Sequence, residues 1–304
     1  MLVNFEDLKA KLNDIRTGKI KEGAKLGISE IDEYLRFKEG NFNVILGHAN
    51  VGKTTVVLYL MLLTAKRLGK RWLVFSSENE AHSIVRKLIE FLEQKPINKI
   101  DKESYEGHLK YIYDYFKIVD TTSLYNYRQL IALAKSLKKA WDFQGLLIDP
   151  YNSLIKDPEM SSSIGGHEYD YQACTEFRIF CKKYKVSIWL NTHANTNALR
   201  NKHIIGHEYA GHPIPPMASD VEGGGKFVNR ADDFLVIHRY IQHPTDWFYS
   251  LIHVRKVKEI ETGGRPTSID DPIKLKSIVG NVGFEIDGKP LLDKPLREQS
   301  NLPF

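Results

Sequence analysis

"VILGHANVGKTTVV", residues 44–57, decides the fold. An apolar run ends at Gly47, a short loop follows, and Lys53 and Thr54 open a second apolar run. The spacing fits G-x-x-x-x-G-K-[ST], with its glycines at Gly47 and Gly52. Its setting between a predicted strand and a predicted helix is the one a phosphate-binding loop needs. Backbone N–H groups of Gly47, His48, Ala49, Asn50, Val51, Gly52, Lys53, Thr54 and Thr55 would line an anion site at the positive end of the helix dipole. Lys53 would reach the β- and γ-phosphates, and the Thr54 hydroxyl would bind Mg2+. The expected substrate is ATP or another nucleoside triphosphate.

Working outward, strands and helices alternate. Strands are predicted over 42–47, 71–78, 115–120, 144–150 and 186–193, with helices over 53–69, 79–94, 126–141 and 168–184. Further strands at 232–240, 247–258 and 283–286 are joined by turns. Continuous apolar strands separated by helices imply a mainly parallel sheet covered on both faces, an α/β fold. Ahead of it, Phe5, Leu8, Leu12 and Ile15 form a narrow apolar stripe at helical spacing. The organisation expected is an arm over 1–25, a nucleotide-binding domain over 26–289, and a flexible proline-broken tail over 290–304 ending in Pro303 and Phe304.

The 304 residues carry a net charge of +5 with 42% hydrophobic and 27% charged residues, the balance of a globular domain with a sizeable core. That charge is compatible with a nucleic-acid partner without arguing for one. There is no apolar run of membrane-spanning length, and the N-terminus is charged too early for a secretory signal. Cys174 and Cys181 would lie roughly 10 Å apart along a helix, too far for a disulfide, and read as core residues in a reducing, cytoplasmic setting.

In open α/β sheets, ligands sit at the carboxyl ends of the strands. "GLLIDP" ends in Asp149, placed as a Walker-B carboxylate to hold Mg2+; its rival is a simple cap. "WLVFSSENE" ends in Glu78, positioned to polarise an attacking water or, alternatively, to decorate a helix start. "WLNTHANT" ends in Asn191, Thr192 and His193, and the histidine suits either a γ-phosphate contact or a structural role.

Taken in order, "LGISEIDEYL", the phosphate loop, "VFSSENE", "LLIDPYNSL", "VSIWLNTH", "PPMASDVEGGGKFVNRADDFLVIHR" and "HVRKVKEIETGG" resemble the RecA-like motor domain of DnaB-type replicative helicases, the phage and Twinkle-like branch included. The resemblance implies a catalytic role for Glu78, a phosphate sensor at His193, and basic residues that reach a neighbouring subunit's ATP. The family carries lysine, one residue, then arginine there; this chain has Lys256 and Lys258, with Arg255 expected on the opposite strand face. Gly223, Gly224, Gly225 and Lys226 would track a DNA backbone, with Glu222 opposing the lysine; a plain surface loop is the rival. "KDPEMSSSIGGHE", residues 156–168, has the polarity of a mobile loop facing a central channel.

The implied activity is Mg-dependent NTP hydrolysis coupled to translocation on single-stranded DNA and duplex unwinding. The implied assembly is a homo-hexamer with ATP sites between subunits and the arm docked on a neighbour. The family's N-terminal primase or primase-binding domain is not matched, and a separate primase, loader or polymerase is the corresponding partner. The alternatives are a RecA-like recombination ATPase and a non-motor accessory protein or loader with weak ATPase.

Overall fold

Ten strands form one sheet in the order β10-β9-β8-β7-β6-β1-β5-β4-β2-β3 in the computed structural model, which describes residues 4–19 and 22–293. In chain order the elements are α1 (Phe5–Arg16), α2 (Ser29–Asp32), β1 (Phe42–Gly47), α3 (Lys53–Leu68), β2 (Trp72–Ser76), α4 (Ala81–Glu93), α5 (Lys102–Tyr115), β3 (Phe116–Ile118) and α6 (Tyr127–Ala140). They continue as β4 (Gly145–Asp149), α7 (Pro158–Tyr184), β5 (Ser187–His193), α8 (Lys226–Arg230), β6 (Asp233–His238), β7 (Tyr249–Val257), β8 (Ile273–Ser277), β9 (Phe284–Ile286) and β10 (Lys289–Pro290). From β6 to β3 every neighbouring pair is parallel; from β6 to β10 every pair is antiparallel.

Both faces of the parallel half are covered, which is why its strands read as unbroken apolar runs. Ile45, Val74, Leu235 and Ile252 face a core closed by α3 and α4. Phe42, Val44, Leu46, Ile148 and Val236 face the opposite core, closed by α6, α7 and α8. Asn43, the buried second residue of β1, is tolerated because its amide donates to Ser187 Oγ at 2.9 Å and to the Ile188 carbonyl at 3.1 Å. Cys174 and Cys181 are free and buried, and burial pushes the Cys174 thiol up to about 12.

Several sequence expectations shift. The segment 156–168 is not a loop: α7 begins at Pro158, capped by Asp157, whose side chain accepts from the Met160 N–H at 3.1 Å. Gly165, at φ 77°, marks a kink between two helical stretches, so the paired glycines bend a helix rather than free a loop. The domain also starts earlier and runs later than the expected 26–289. Ala24 pairs with Phe37, the Gly23 N–H donates to the Thr262 carbonyl at 2.7 Å, and Leu291 and Leu292 are buried in the core. The remainder of the expected tail, including Pro303 and Phe304, lies outside the described residues. No residue of α1 is buried, so its apolar stripe packs on nothing in this chain's described residues. No helix among them is long and apolar enough to cross a membrane.

Candidate nucleotide site

Four parallel strands deliver their carboxyl ends to one place. β1 leads into the loop 48–52, where Asn50 and Gly52 take left-handed φ of 62° and 79° and turn the backbone into α3. Gly47 allows close approach: a Cβ there would sit 2.7 Å from the Ile237 carbonyl oxygen. Lys53, the first residue of α3, is buried; its ammonium donates to the Thr192 carbonyl at 3.0 Å and lies 3.4 Å from His193 Nδ1. Burial pushes this ammonium below its ordinary pKa, partly offset by the Asp149 and Glu78 carboxylates.

Thr54 Oγ1 donates to Asp149 Oδ2 at 2.7 Å, and Asn191 Nδ2 donates to Asp149 Oδ1 at 2.7 Å. Burial raises the Asp149 carboxyl above its usual range, while these two donors and Lys53 pull it back. Glu78 stands just past the end of β2, with Oε1 3.2 Å from His193 Nε2. The sequence-predicted Lys53, Thr54, Glu78, Asp149 and His193 are therefore brought together. Sequence reasoning left Asn191 without a task, and the structure gives it one: it orients the buried carboxylate.

This donor set fits a nucleoside triphosphate with Mg2+. A buried ammonium, a helix N-terminus and a glycine-turned backbone suit phosphate. A hydroxyl and a carboxylate at hydrogen-bond distance suit a hard cation that takes its other oxygens from phosphates. Among the described residues no group of three or more His, Cys, Asp or Glu side chains is placed to hold a metal ion.

The imidazole of His48 is turned into the protein. It is buried with Nε2 unpartnered, 6.2 Å ring to ring from His238. Burial lowers its pKa against a hydrogen bond to the Ile214 backbone. A small cavity of about 130 Å³ beside Gly52 and Thr55 is lined by Arg239, Ser250, Ser277 and Phe284. Arg239, just past β6, lines this cavity and bonds to the Trp247 carbonyl; nothing in "VIHRY" distinguishes it from a strand-end surface arginine.

The glycine loop is anchored to the same strand ends. The Glu222 N–H donates to the His193 carbonyl at 2.9 Å, and the Asn152 amide donates to Glu222 Oε2 at 2.6 Å. Gly223 and Gly224 both adopt φ of 93°, where a side chain would be strained. Lys226 does not present a free charge: it is buried against Asp170 Oδ2 at 2.9 Å, while the Tyr151 hydroxyl donates to Asp170 Oδ1 at 2.8 Å. The expected phosphate contact by Lys226 is absent from this arrangement.

Lys256 and Lys258 lie elsewhere altogether. β7 runs antiparallel to β6, so its end reaches the amino edge of the parallel strands, roughly 20 Å from the chain's own phosphate loop for a six-residue strand. Lys256 Nζ donates to the Val228 and Ala231 carbonyls, both at 2.7 Å. Lys258 lies 3.5 Å from Asp232 Oδ1, which also takes Arg178 at 3.0 Å. A register shift opposite Phe234/Leu235 inserts an extra residue at Arg255, so the simple alternation that set Arg255 opposite Lys256 does not run through this stretch.

No family model matches the chain. A Twinkle homolog protein, chloroplastic/mitochondrial, from Arabidopsis thaliana is 23% identical over 246 residues, covering 77% of this chain; the chain spans about one third of that relative's length, 33%. Among solved structures, the ATPase domain of the protein G40P superposes with a TM-score of 0.73 at 13% identity, covering 93% of this chain and 99% of that one. A DnaB-like replicative helicase, solved for its interactions with primase, gives 0.71 at 14% identity over 93% of this chain and 67% of that one. A KaiC-like protein from Pyrococcus horikoshii OT3 gives 0.54 at 17% identity over 87% and 96%. The chain therefore has the RecA-like α/β fold of the ATPase domains of DnaB-like replicative helicases, extended by antiparallel strands at its C-terminal side.

Proposed function

We propose that this chain is the motor domain of a DnaB-type DNA helicase, hydrolysing ATP to move along single-stranded DNA. The observation that carries the reading is the convergence of Lys53, Thr54, Asp149, Glu78 and His193, with the His193 carbonyl also holding the glycine loop. Glu78 would orient and deprotonate the attacking water, and Lys53 would hold the terminal phosphates. Thr54 and Asp149 are the residues that would hold Mg2+, which when bound neutralises charge on the phosphoryl oxygens. His193 would exchange its Lys53 and Glu78 contacts for the γ-phosphate, and its carbonyl would pass the change to residues 222–225. Gly223, Gly224 and Gly225, without Lys226, would approach the DNA backbone through their N–H groups.

Lys258 sits too far from its own phosphate loop to serve it, so we assign it to a neighbour's nucleotide, with Lys256 packed behind. Such a trans contact calls for neighbouring subunits, in a ring or a filament alike; we take the hexameric ring that the resemblance implies as the working assembly, with α1 as the arm that docks on the next subunit. A separate primase, loader or polymerase remains the natural class of partner. A second reading, an accessory ATPase that does not translocate, draws on the internal engagement of both Lys226 and Lys256.

The deciding experiment is steady-state ATP hydrolysis against protein concentration, with and without single-stranded DNA. The motor reading expects DNA-stimulated turnover that rises more than linearly with protein and vanishes in Glu78→Gln. Turnover linear in protein and indifferent to DNA would favour the accessory reading.

A further inference from the structure

Lys258, assigned above to a neighbour's nucleotide, is held back in this chain. Its ammonium lies 3.5 Å from Asp232 Oδ1, and its side chain is 39% exposed. Asp232 is buried and pinned by three backbone bonds. Its N–H donates to the Phe42 carbonyl at 2.8 Å, its carbonyl accepts from the Lys258 N–H at 3.0 Å, and its Oδ2 accepts from the Phe42 N–H at 3.1 Å. The carboxylate therefore cannot follow the lysine outward. A lysine that leaves it strands a buried charge unless a second cation stays behind.

That second cation is Arg178. It comes from α7, and its Nη2 lies 3.0 Å from the same Oδ1. Its Nε is buried without a partner, so Asp232 is the one carboxylate that this guanidinium meets among the described residues. Asp233, next in sequence, is already held by Lys38 at 3.3 Å. Cations crowd this corner. Burial lowers the pKa of the Lys256 ammonium, and the charges of Lys258 and Arg178 lower it further, against the pull of Asp232 and Asp233.

Of these cations, Lys258 is the one with room to move. With Asp232, Lys182 and Lys185 it lines a cavity of about 830 Å³. Among the other acids on that wall, Glu22 is paired with Arg36 at 2.5 Å and Glu39 with Lys70 at 2.8 Å, which leaves Glu259. A phosphate entering the cavity would thus meet Lys182, Lys185 and Lys258 against one unpaired acid.

We infer that Asp232 and Arg178 are positioning residues for the step in which Lys258 serves a neighbour's nucleotide, an inference that rests on that reading of Lys258. Asp232 holds the lysine back in a lone subunit. When a neighbour's phosphate enters the cavity, Lys258 passes to it, and Arg178 alone keeps the buried Asp232 paired. Arg178 sets how readily the lysine is released without touching the nucleotide.

The test uses the full chain with single-stranded DNA and reads kcat and KM for ATP hydrolysis. Arg178→Met should lower kcat roughly tenfold or more, because Lys258 is then the last close partner of a buried charge. KM and the binding of labelled ATP should stay near wild type, since the chain's own phosphate loop lies at the other edge. Arg178→Lys should keep most of the turnover. Arg178→Met combined with Asp232→Asn should recover it: the asparagine oxygen still accepts from the Phe42 N–H but no longer holds an ammonium. A contact that served packing alone would not be repaired by removing a second one. The inference is overturned if Arg178→Met turns over like wild type, if the double variant stays as slow as the single one, or if ATP binding falls along with kcat. Lys258→Ala with wild-type turnover would remove the trans reading itself; a slow Lys258→Ala beside an unaffected Arg178→Met would remove only the hand-over.

Discussion

The two edges of the sheet differ in how their polar groups are held. At the carboxyl edge of the parallel strands, Lys53, Thr54, Asp149, Glu78 and His193 bond to one another, so the site is organised by its own members. At the amino edge, Arg178 and Lys258 gather on Asp232, and Lys256 is held by backbone carbonyls, with no catalytic carboxylate and no phosphate loop among them. Strand direction produces this split. Five β–α–β steps bring every chain reversal back to the same edge, and the single antiparallel return through β7 exports basic residues to the other. Under the proposed function, one edge would hold the hydrolytic groups, Lys53 included, and the other would supply further cations with no reaction of their own. On the proposed reading, the two would be paired only in an assembly of subunits.

The largest break in that comparison should come from the carboxyl edge. Glu78→Gln should cut ATP turnover by about 10² to 10⁴ while nucleotide binding, followed by fluorescence of a labelled ATP, stays near wild type. If binding falls equally, Glu78 is structural. Next, Asp170→Ala strands the buried Lys226 and removes the acceptor for Tyr151, and should destabilise the fold by about 3–5 kcal/mol in urea denaturation. A loss near zero would mean that Lys226 swings into solvent and is available to a phosphate after all.

Sequence reading reached the carboxyl edge because each of its groups terminates a long apolar strand, and strand ends can be located to within a residue or two. Lys53, Thr54 and Asp149 come with their own context. Glu78 and His193 needed the ordered set of segments around them. What was not legible depended on tertiary contact. The burial of Lys226 on Asp170 joins residues 56 apart in sequence, so the lysine looked free. The bulge at Arg255 has no marker in "HVRKVKE". α5 buries only Ile112, too thin a stripe to read, although Asp101 caps it by accepting from the Ser104 N–H at 2.9 Å. Two signals were present and unused: Asp157-Pro158 is a cap followed by a first-turn proline, and "IKLKS" alternates cleanly as β8.

Smaller effects sharpen the contrast. Lys258→Ala should slow DNA-stimulated turnover by about 10²-fold with nucleotide binding unchanged, the cost of removing one charge donor at a transition state. Equal loss of both would sink the trans role.

Acid should test the core between the two edges. His238 and His253 are buried, and desolvation pushes each down to about 3. Their folded pKa lies below the unfolded value, so the neutral rings contribute stability that is present above about pH 6.5 and is lost as pH falls towards 3. Each should cost about 1.4 kcal/mol per pH unit in that window, visible as a falling midpoint in thermal melts from pH 7 to pH 5. In His253→Phe the slope should be shallower; an unchanged slope would exclude that histidine. Smallest of all, Leu12→Ser should shift the stability of the isolated chain by under about 0.5 kcal/mol, because α1 buries nothing. A large shift would mean that the arm packs on its own domain.

The most direct measurement is complementation between the two edges. Lys53→Ala subunits lack a working phosphate loop and keep Lys258; Lys258→Ala subunits have the reverse. Each alone should be nearly inactive. If Lys258 serves a neighbour's nucleotide, mixing the two with DNA should restore ATP turnover well above either parent, since mixed interfaces unite an intact Lys53 with an intact Lys258. A mixture that stays as inactive as its parents would contradict the account.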